Sequence, residues 1–201
     1  MLSSVGTALL ICKLFVLPLD KEVTSYYNID SNMLPQTLEE NNMRMNEMYE
    51  SFGDSSENMR KAIFSSIFVM QNRMQTAGEK IQTEITMKQW LLLVMAACCP
   101  EPRTLTSVGD LMGCSRQNIK KLAAALEAKG FVKLEQGSSN ALNIEMTPKA
   151  LEYFSDMSER YAKTFELLFS EFSEQEISQL FRLYAKLYAG IEKVEKFAEE
   201  I

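Results

Sequence analysis

The chain has no histidine among its 201 residues. That absence removes the commonest general base, the usual metal ligand and the usual partner of a serine or cysteine nucleophile. Cysteine is scarce, confined to Cys12, Cys98, Cys99 and Cys114. Two of these are adjacent and no pair has metal-ligand spacing. Neither a disulfide framework nor a zinc site is expected, and a reducing compartment, the cytoplasm, fits. All four read as small apolar side chains near a core. Glycine-rich phosphate loops and spaced carboxylate constellations are missing as well. The expectation is a protein that is not an enzyme and uses no metal and no cofactor.

Long apolar runs are also lacking. Residues 5–19 are mostly apolar, but Lys13 interrupts them, and about 20 apolar residues are needed to span a bilayer. Residues 1–4 carry no basic side chain and no Ala-x-Ala pattern follows, so a signal peptide is not indicated. Residues 1–43 read as a disordered leader or a start-site artefact, with a membrane anchor or helical dimer arm as the alternative. No membrane partner is expected.

Positive charge is in deficit overall, with 21 basic against 27 acidic side chains and a net charge of −6. Its distribution is uneven. Residues 1–100 sum to −3, residues 101–136 to +2 and residues 152–201 to −5. The one basic segment of this size holds Arg103, Arg116, Lys120, Lys121, Lys129 and Lys133. Local charge, not the total, decides whether a phosphate backbone can approach.

What is present is mainly helical periodicity. From Ser56 onward Met59, Ile63, Ile67, Met70 and Met74 recur at three- and four-residue steps, joined by Phe64 and Phe68. A second helix is predicted over 87–98, with Thr86 as N-cap and Pro100 and Pro102 beyond its end. Residues 104–106 read as extended, followed by a short helix over 107–112 capped by Thr106 and ended by Gly113. Ser115 caps the next helix, which stops at Gly130. Residues 131–135 and 141–146 alternate around Gln136-Gly137-Ser138-Ser139-Asn140, the pattern of a β-hairpin. A helix opening at Thr147-Pro148, with threonine as N-cap and proline in the first turn, carries Leu151, Phe154, Tyr161, Phe165, Leu168 and Phe169. The last helix opens on a Ser173–Glu176 capping box and carries Ile177, Leu180, Phe181, Tyr184, Leu187, Tyr188, Ile191 and Val194.

The expected fold class is mostly α with a small β-hairpin wing. It is a winged helix-turn-helix over residues 86–147, flanked by dimerisation helices over 56–85 and 148–198. Within the second helix of that unit, Ile119, Leu122, Ala123 and Leu126 fall on the side that should bury. Gln117, Lys120, Lys121 and Ala124 fall opposite, with Arg116 and Asn118 at the N-terminal flank. Arginine pairs with guanine, and glutamine or asparagine with adenine, in bidentate geometry, while lysine suits phosphate. The candidate contacts to double-stranded DNA are therefore Thr106, Ser115, Arg116, Gln117, Asn118, Lys120, Lys121 and, on the hairpin, Asn140. Any amphipathic helix has a polar face, so the helix alone decides little; the hairpin, the localised charge and the short preceding helix add to it.

Over residues 86–150 the chain resembles the multiple-antibiotic-resistance regulator (MarR) family. The residues that carry this are Thr86-Met87-Lys88-Gln89-Trp90, Leu105-Thr106-Ser107-Val108-Gly109-Asp110-Leu111-Met112-Gly113-Cys114-Ser115-Arg116-Gln117-Asn118-Ile119, Leu126-Glu127-Ala128-Lys129-Gly130-Phe131-Val132 and Met146-Thr147-Pro148-Lys149. The resemblance implies a homodimer built by the first and last helices, a palindromic operator and, in many members, a small-molecule or redox effector. Phe64, Phe68, Trp90, Met95 and Phe154 are the candidate effector cleft, against the alternative that they are ordinary core. Cys114 stands where a helix N-terminus lowers a thiol pKa, against the alternative of burial in the turn. The hairpin tip departs from the family, which places an aspartate and then an arginine where this chain has Ser138, Ser139 and Asn140. The sequence supports two function classes: a dimeric, sequence-specific transcription regulator, and a dimer of the same fold that binds a protein partner.

Overall fold

The computed structural model describes residues 55–137 and 141–201. In chain order these form α1 (Ser56–Ile81), α2 (Met87–Cys98), α3 (Leu105–Met112), α4 (Arg116–Ala128), β1 (Val132–Gln136), β2 (Leu142–Met146), α5 (Pro148–Asp156), α6 (Ser158–Leu168) and α7 (Glu174–Glu199). This is the mostly helical winged architecture that the pattern predicts. The chain divides into two compact units, one ending at Phe154 and one running from Ser155 to Ile201. The expected leader over 1–43 and Cys12 lie outside the described residues, as do Ser138, Ser139 and Asn140.

The helix starts follow from short polar side chains that satisfy orphan backbone N–H groups, each worth about 1 kcal/mol. Ser55 accepts from the Asn58 N–H at the head of α1. Thr86 and Gln89 form a full capping box on α2, and Ser173 and Glu176 another on α7. In the second box the hydroxyl and backbone N–H of Ser173 both donate to Glu176 and hold its carboxyl below the ordinary value.

Three local expectations need correction. First, α3 begins at Leu105, and its cap is Thr104, whose Oγ1 accepts from the Ser107 N–H at 3.0 Å. The cause is tertiary. The Ile144 N–H donates to the Arg103 carbonyl at 2.9 Å, and Thr104 pairs antiparallel with Asn143. The edge of the hairpin thus holds the chain extended through Thr104, and the helix can start only after it. Second, the helix expected to continue through residue 157 breaks there into α5 and α6, with Met157 at φ −87° and ψ −4° and no side-chain cap. Third, the Thr147 hydroxyl does not serve α5; it donates to the carbonyls of Gly130 at 2.6 Å and Phe131 at 3.1 Å.

The core of the first unit joins α2, α3, α4 and the hairpin through Leu92, Leu93, Leu105, Val108, Ile119, Leu126, Phe131, Val132 and Ile144, all under 2% exposed. Truncating one such leucine to alanine costs about 2–5 kcal/mol. The hairpin is antiparallel, with Val132 opposite Met146, Leu134 opposite Ile144 and Lys133 opposite Glu145. The cysteines divide: Cys99 is buried and Cys114 half-buried, but Cys98 is exposed, which corrects the expectation of a core position for it.

The long helix α1 buries Ala62, Ser66 and Gly78. Its large apolar side chains, Met59, Ile63, Phe64, Phe68, Met70 and Met74, are exposed instead. Gly78 lets the Met87 side chain lie against α1; a Cβ there would stand 2.3 Å from the Met87 sulfur, so that side chain would have to move. In the second unit α7 runs for 26 residues with none of them buried. Among the described residues no helix is long and apolar enough to cross a membrane.

Candidate nucleic-acid interface

The local geometry of α3, the turn and α4 rests on two glycines with different duties. Gly113 ends α3 in the left-handed region at φ +61°, a conformation glycine adopts without steric cost. Gly109 lies where the turn comes closest to α3. A Cβ there would sit 2.7 Å from the Cys114 carbonyl oxygen and 3.4 Å from the Ile119 Cγ1. The turn folds back on α3 because nothing projects at residue 109, and the Cys114 N–H closes it by donating to the Gly109 carbonyl at 2.9 Å. Ser115 then caps α4, its Oγ accepting from the Asn118 N–H at 3.4 Å.

α4 buries Ile119, Ala123 and Leu126. Leu122, expected inside, is only half-buried. The opposite side is exposed, and it holds Arg116, Gln117, Asn118, Lys120, Lys121 and Ala124. Thr106 is exposed in the first turn of α3, and Ser115 is exposed at the cap. Seven of the eight candidate contacts are thus exposed on the helix-turn-helix; Asn140 lies outside the described residues.

The cations of the middle segment and its flank fall into two classes, with Lys133 on β1 in the second, exposed and without an ion-pair partner among the described residues. Arg103 is 5% exposed and pairs with Glu101 at 3.3 Å and Glu145 at 3.9 Å. Lys129 donates to the Glu84 carbonyl at 2.7 Å and to Gln89 Oε1 at 3.2 Å. Lys149 pairs with Glu84 at 2.9 Å. By contrast Arg116, Lys120 and Lys121 have no ion-pair partner among the described residues. The first turn of α4 also carries no acidic residue, whereas α7 opens with Glu174 and Glu176. An N-terminus with free N–H groups, an uncompensated dipole and unpaired cations attracts phosphate. Counting charge along the chain found the segment but could not separate engaged from free cations, because their partners, such as Glu84 and Glu145, lie far off in sequence.

The wing is tied to α4 by the Leu134 N–H, which donates to Glu127 Oε1 at 2.7 Å. At the base of its loop the Gly137 N–H donates to the Ala141 carbonyl at 2.7 Å. Of the five residues suggested as an effector cleft, Phe64 and Phe68 are exposed on α1 with their rings edge to face at 5.3 Å. Trp90 and Met95 are half-buried, and Phe154 is in the core at 1% exposure.

No protein-family profile matches the sequence, and no curated protein matches it. Solved structures do match. A MarR/EmrR family transcriptional regulator from Acinetobacter sp. ADP1 superposes with a TM-score of 0.60 at 18% identity, over 67% of this chain and 98% of that one. MepR of S. aureus, solved as a DNA complex, matches with a TM-score of 0.53 at 18% identity, over 68% of this chain and 99% of that one. MarR of Staphylococcus aureus, in complex with salicylate and kanamycin, matches with a TM-score of 0.58 at 17% identity, over 67% and 93%. The chain has the winged helix-turn-helix fold of the MarR-family transcriptional regulators.

Proposed function

We propose that this protein is a cytoplasmic, dimeric transcription regulator that reads double-stranded DNA with α4. The observation that carries the reading is the exposed set Arg116, Gln117, Asn118, Lys120 and Lys121, whose three cations lack ion-pair partners among the described residues although the whole chain is acidic. The N-terminal half of α4 enters the major groove. Arg116, Gln117 and Asn118 meet base edges, and Lys120 and Lys121 meet phosphates. Thr106 and Ser115 contact the backbone. The DNA complex of MepR, which shares the fold, supports this use of it.

The dimer rests on exposed apolar surface. Phe181, Tyr188, Val194 and Phe197 on α7 are each more than 60% exposed, and Phe64 on α1 is 64% exposed. Monomers rarely expose contiguous apolar patches beyond about 300–600 Å², and a second copy of the chain covers these faces. A pseudo-palindromic operator follows from the two-fold symmetry, with half-sites about 34–36 Å apart. The salicylate and kanamycin complex of S. aureus MarR supports an effector-responsive regulator, with Phe64, Phe68, Trp90, Met95 and Phe154 as the candidate effector-cleft residues. The wing loop, with Ser138, Ser139 and Asn140, supplies no cation, so the hairpin contributes less to affinity than α4.

The test is a selection of duplexes from a random-sequence pool by the purified protein. A recovered inverted repeat with one preferred spacing is the expected result. Recovery of unrelated sequences with no common motif overturns the reading and favours a dimer of this fold that binds a protein partner.

A further inference from the structure

We infer that Lys129 and Lys149, basic though they are, act as positioning residues that set the pitch of α4 through Glu84, and are not phosphate ligands. The inference rests on the DNA-reading role of α4 and adds to it a mechanism for holding the reader.

Lys149, near the start of α5, makes three contacts at once. Its Nζ lies 2.9 Å from Glu84 Oε2, donates to the Lys129 carbonyl at 3.1 Å and stands 4.5 Å over the Phe131 ring. The Lys129 carbonyl is at the C-cap of α4, where a cation meets the negative end of the helix dipole. Lys129 in turn donates to the Glu84 carbonyl and to Gln89 Oε1. That same Gln89 oxygen accepts from the Thr86 N–H at 3.0 Å, inside the capping box of α2. Tyr153 completes the set: its hydroxyl donates to Gln82 Oε1 at 2.7 Å, and its ring meets Phe131 edge to face at 5.4 Å. The C-terminal end of α4 is therefore fastened to the α1–α2 loop, the head of α2 and the head of α5 at one junction.

The base-reading side chains are at the other end of the same helix. α4 has 13 residues, so about 20 Å separates the fastened end from the reading end. A tilt of about 10° at the junction moves the reading end by roughly 3 Å, the length of a hydrogen bond. Small changes at Glu84 are thereby converted into gain or loss of base contacts. The Glu84–Lys149 pair is half exposed on both sides and as an isolated surface ion pair would stabilise the fold very little. Its leverage comes from where it is attached.

The experiment turns on a sign. Glu84→Gln removes a negative charge from the DNA-binding unit, so long-range electrostatics alone would tighten binding. The positioning role predicts the reverse: Glu84→Gln weakens binding to the selected duplex by about 2–30-fold. It also narrows the preference for that duplex over one with a base pair inserted between half-sites. Lys149→Met does the same with the salt slope unchanged. Amide exchange over residues 126–131 is measured without DNA in wild type and Glu84→Gln, and it accelerates in the variant. Tighter or unchanged binding by Glu84→Gln overturns the inference, as does a loss of about 0.9 from the salt slope per phosphate in Lys149→Met. If the wild type selects no DNA, the proposed function fails, and the exchange data still judge the junction: unchanged protection over 126–131 overturns it.

Discussion

The carbonyl oxygen of Cys114 lies 2.7 Å from where a Cβ on Gly109 would stand. A backbone atom cannot give way as a flexible side chain does, so α3 and the turn approach one another only with glycine at 109. Gly113, four residues on, has nothing within 4 Å of its notional Cβ and is constrained by φ alone. The two substitutions are therefore expected to differ in kind. Gly109→Ala should lower stability by about 1–3 kcal/mol through overpacking and re-angle α4, weakening DNA binding in protein that remains folded. Gly113→Asn, a residue that tolerates the left-handed region, should cost a fraction of that. Denaturant titration and a binding isotherm on each variant check the contrast; equal effects would contradict it.

On the proposed reading, the exposed side chains of α4 divide by their partners on DNA. Gln117→Ala or Arg116→Ala should relax sequence preference, at about 1–3 kcal/mol per lost bidentate pair. Lys120→Ala and Lys121→Ala should weaken binding to all duplexes alike, each reducing the salt slope by about 0.9. Titrations of the selected duplex and a scrambled one at several salt concentrations separate the two classes. Normal binding by all four variants would remove α4 as the reader.

α7 has no buried residue along its 26 positions, yet Phe181, Tyr184, Leu187, Tyr188 and Ile191 follow one helical stripe. Light scattering at micromolar concentration should return twice the 22.9 kDa chain mass. Phe181→Asp together with Tyr188→Asp should halve the mass measured and abolish cooperative operator binding. A wild-type monomer that stays soluble would refute the dimer.

At the head of α7, hydrogen bonds from the Ser173 side chain and then its backbone N–H hold the Glu176 carboxyl below its ordinary value of 4.5. A depressed carboxyl pKa contributes stability that is fully present above the unfolded value and is lost as pH falls through the folded one. Helical content measured by circular dichroism should thus drop below about pH 4.5, and Ser173→Ala should flatten that part of the profile. An identical acid limb in wild type and Ser173→Ala would show the cap to be idle.

Much of this architecture is legible locally. Thr86, Ser115, Ser173, Gly113 and Gly130 punctuate the helices, and the alternation about Gly137 locates the hairpin to within a residue at each end. The misreadings occur where the decision is made by distant groups. Thr104 and Thr106 are equally good caps in isolation; the bridge from Thr104 to Asn143 selects the first. The break at Met157 is invisible because Phe154, Tyr161, Phe165 and Leu168 keep helical spacing across it. Within the candidate site, residue types on α4 could be assigned to faces from period alone. Which lysines are free could not, since that depends on Glu84 and Gln89, 40 or more residues away from Lys129 in the chain.

The uneven charge of the chain has a kinetic consequence if α4 is the DNA reader proposed above. Residues 1–100 and 152–201 carry net negative charge, and residues 101–136, which include α4, carry net positive charge. On the proposed reading, the positive segment favours encounters in which α4 faces the duplex. The rate of association should then respond to salt. On that reading, higher ionic strength should slow association as well as lower the equilibrium affinity.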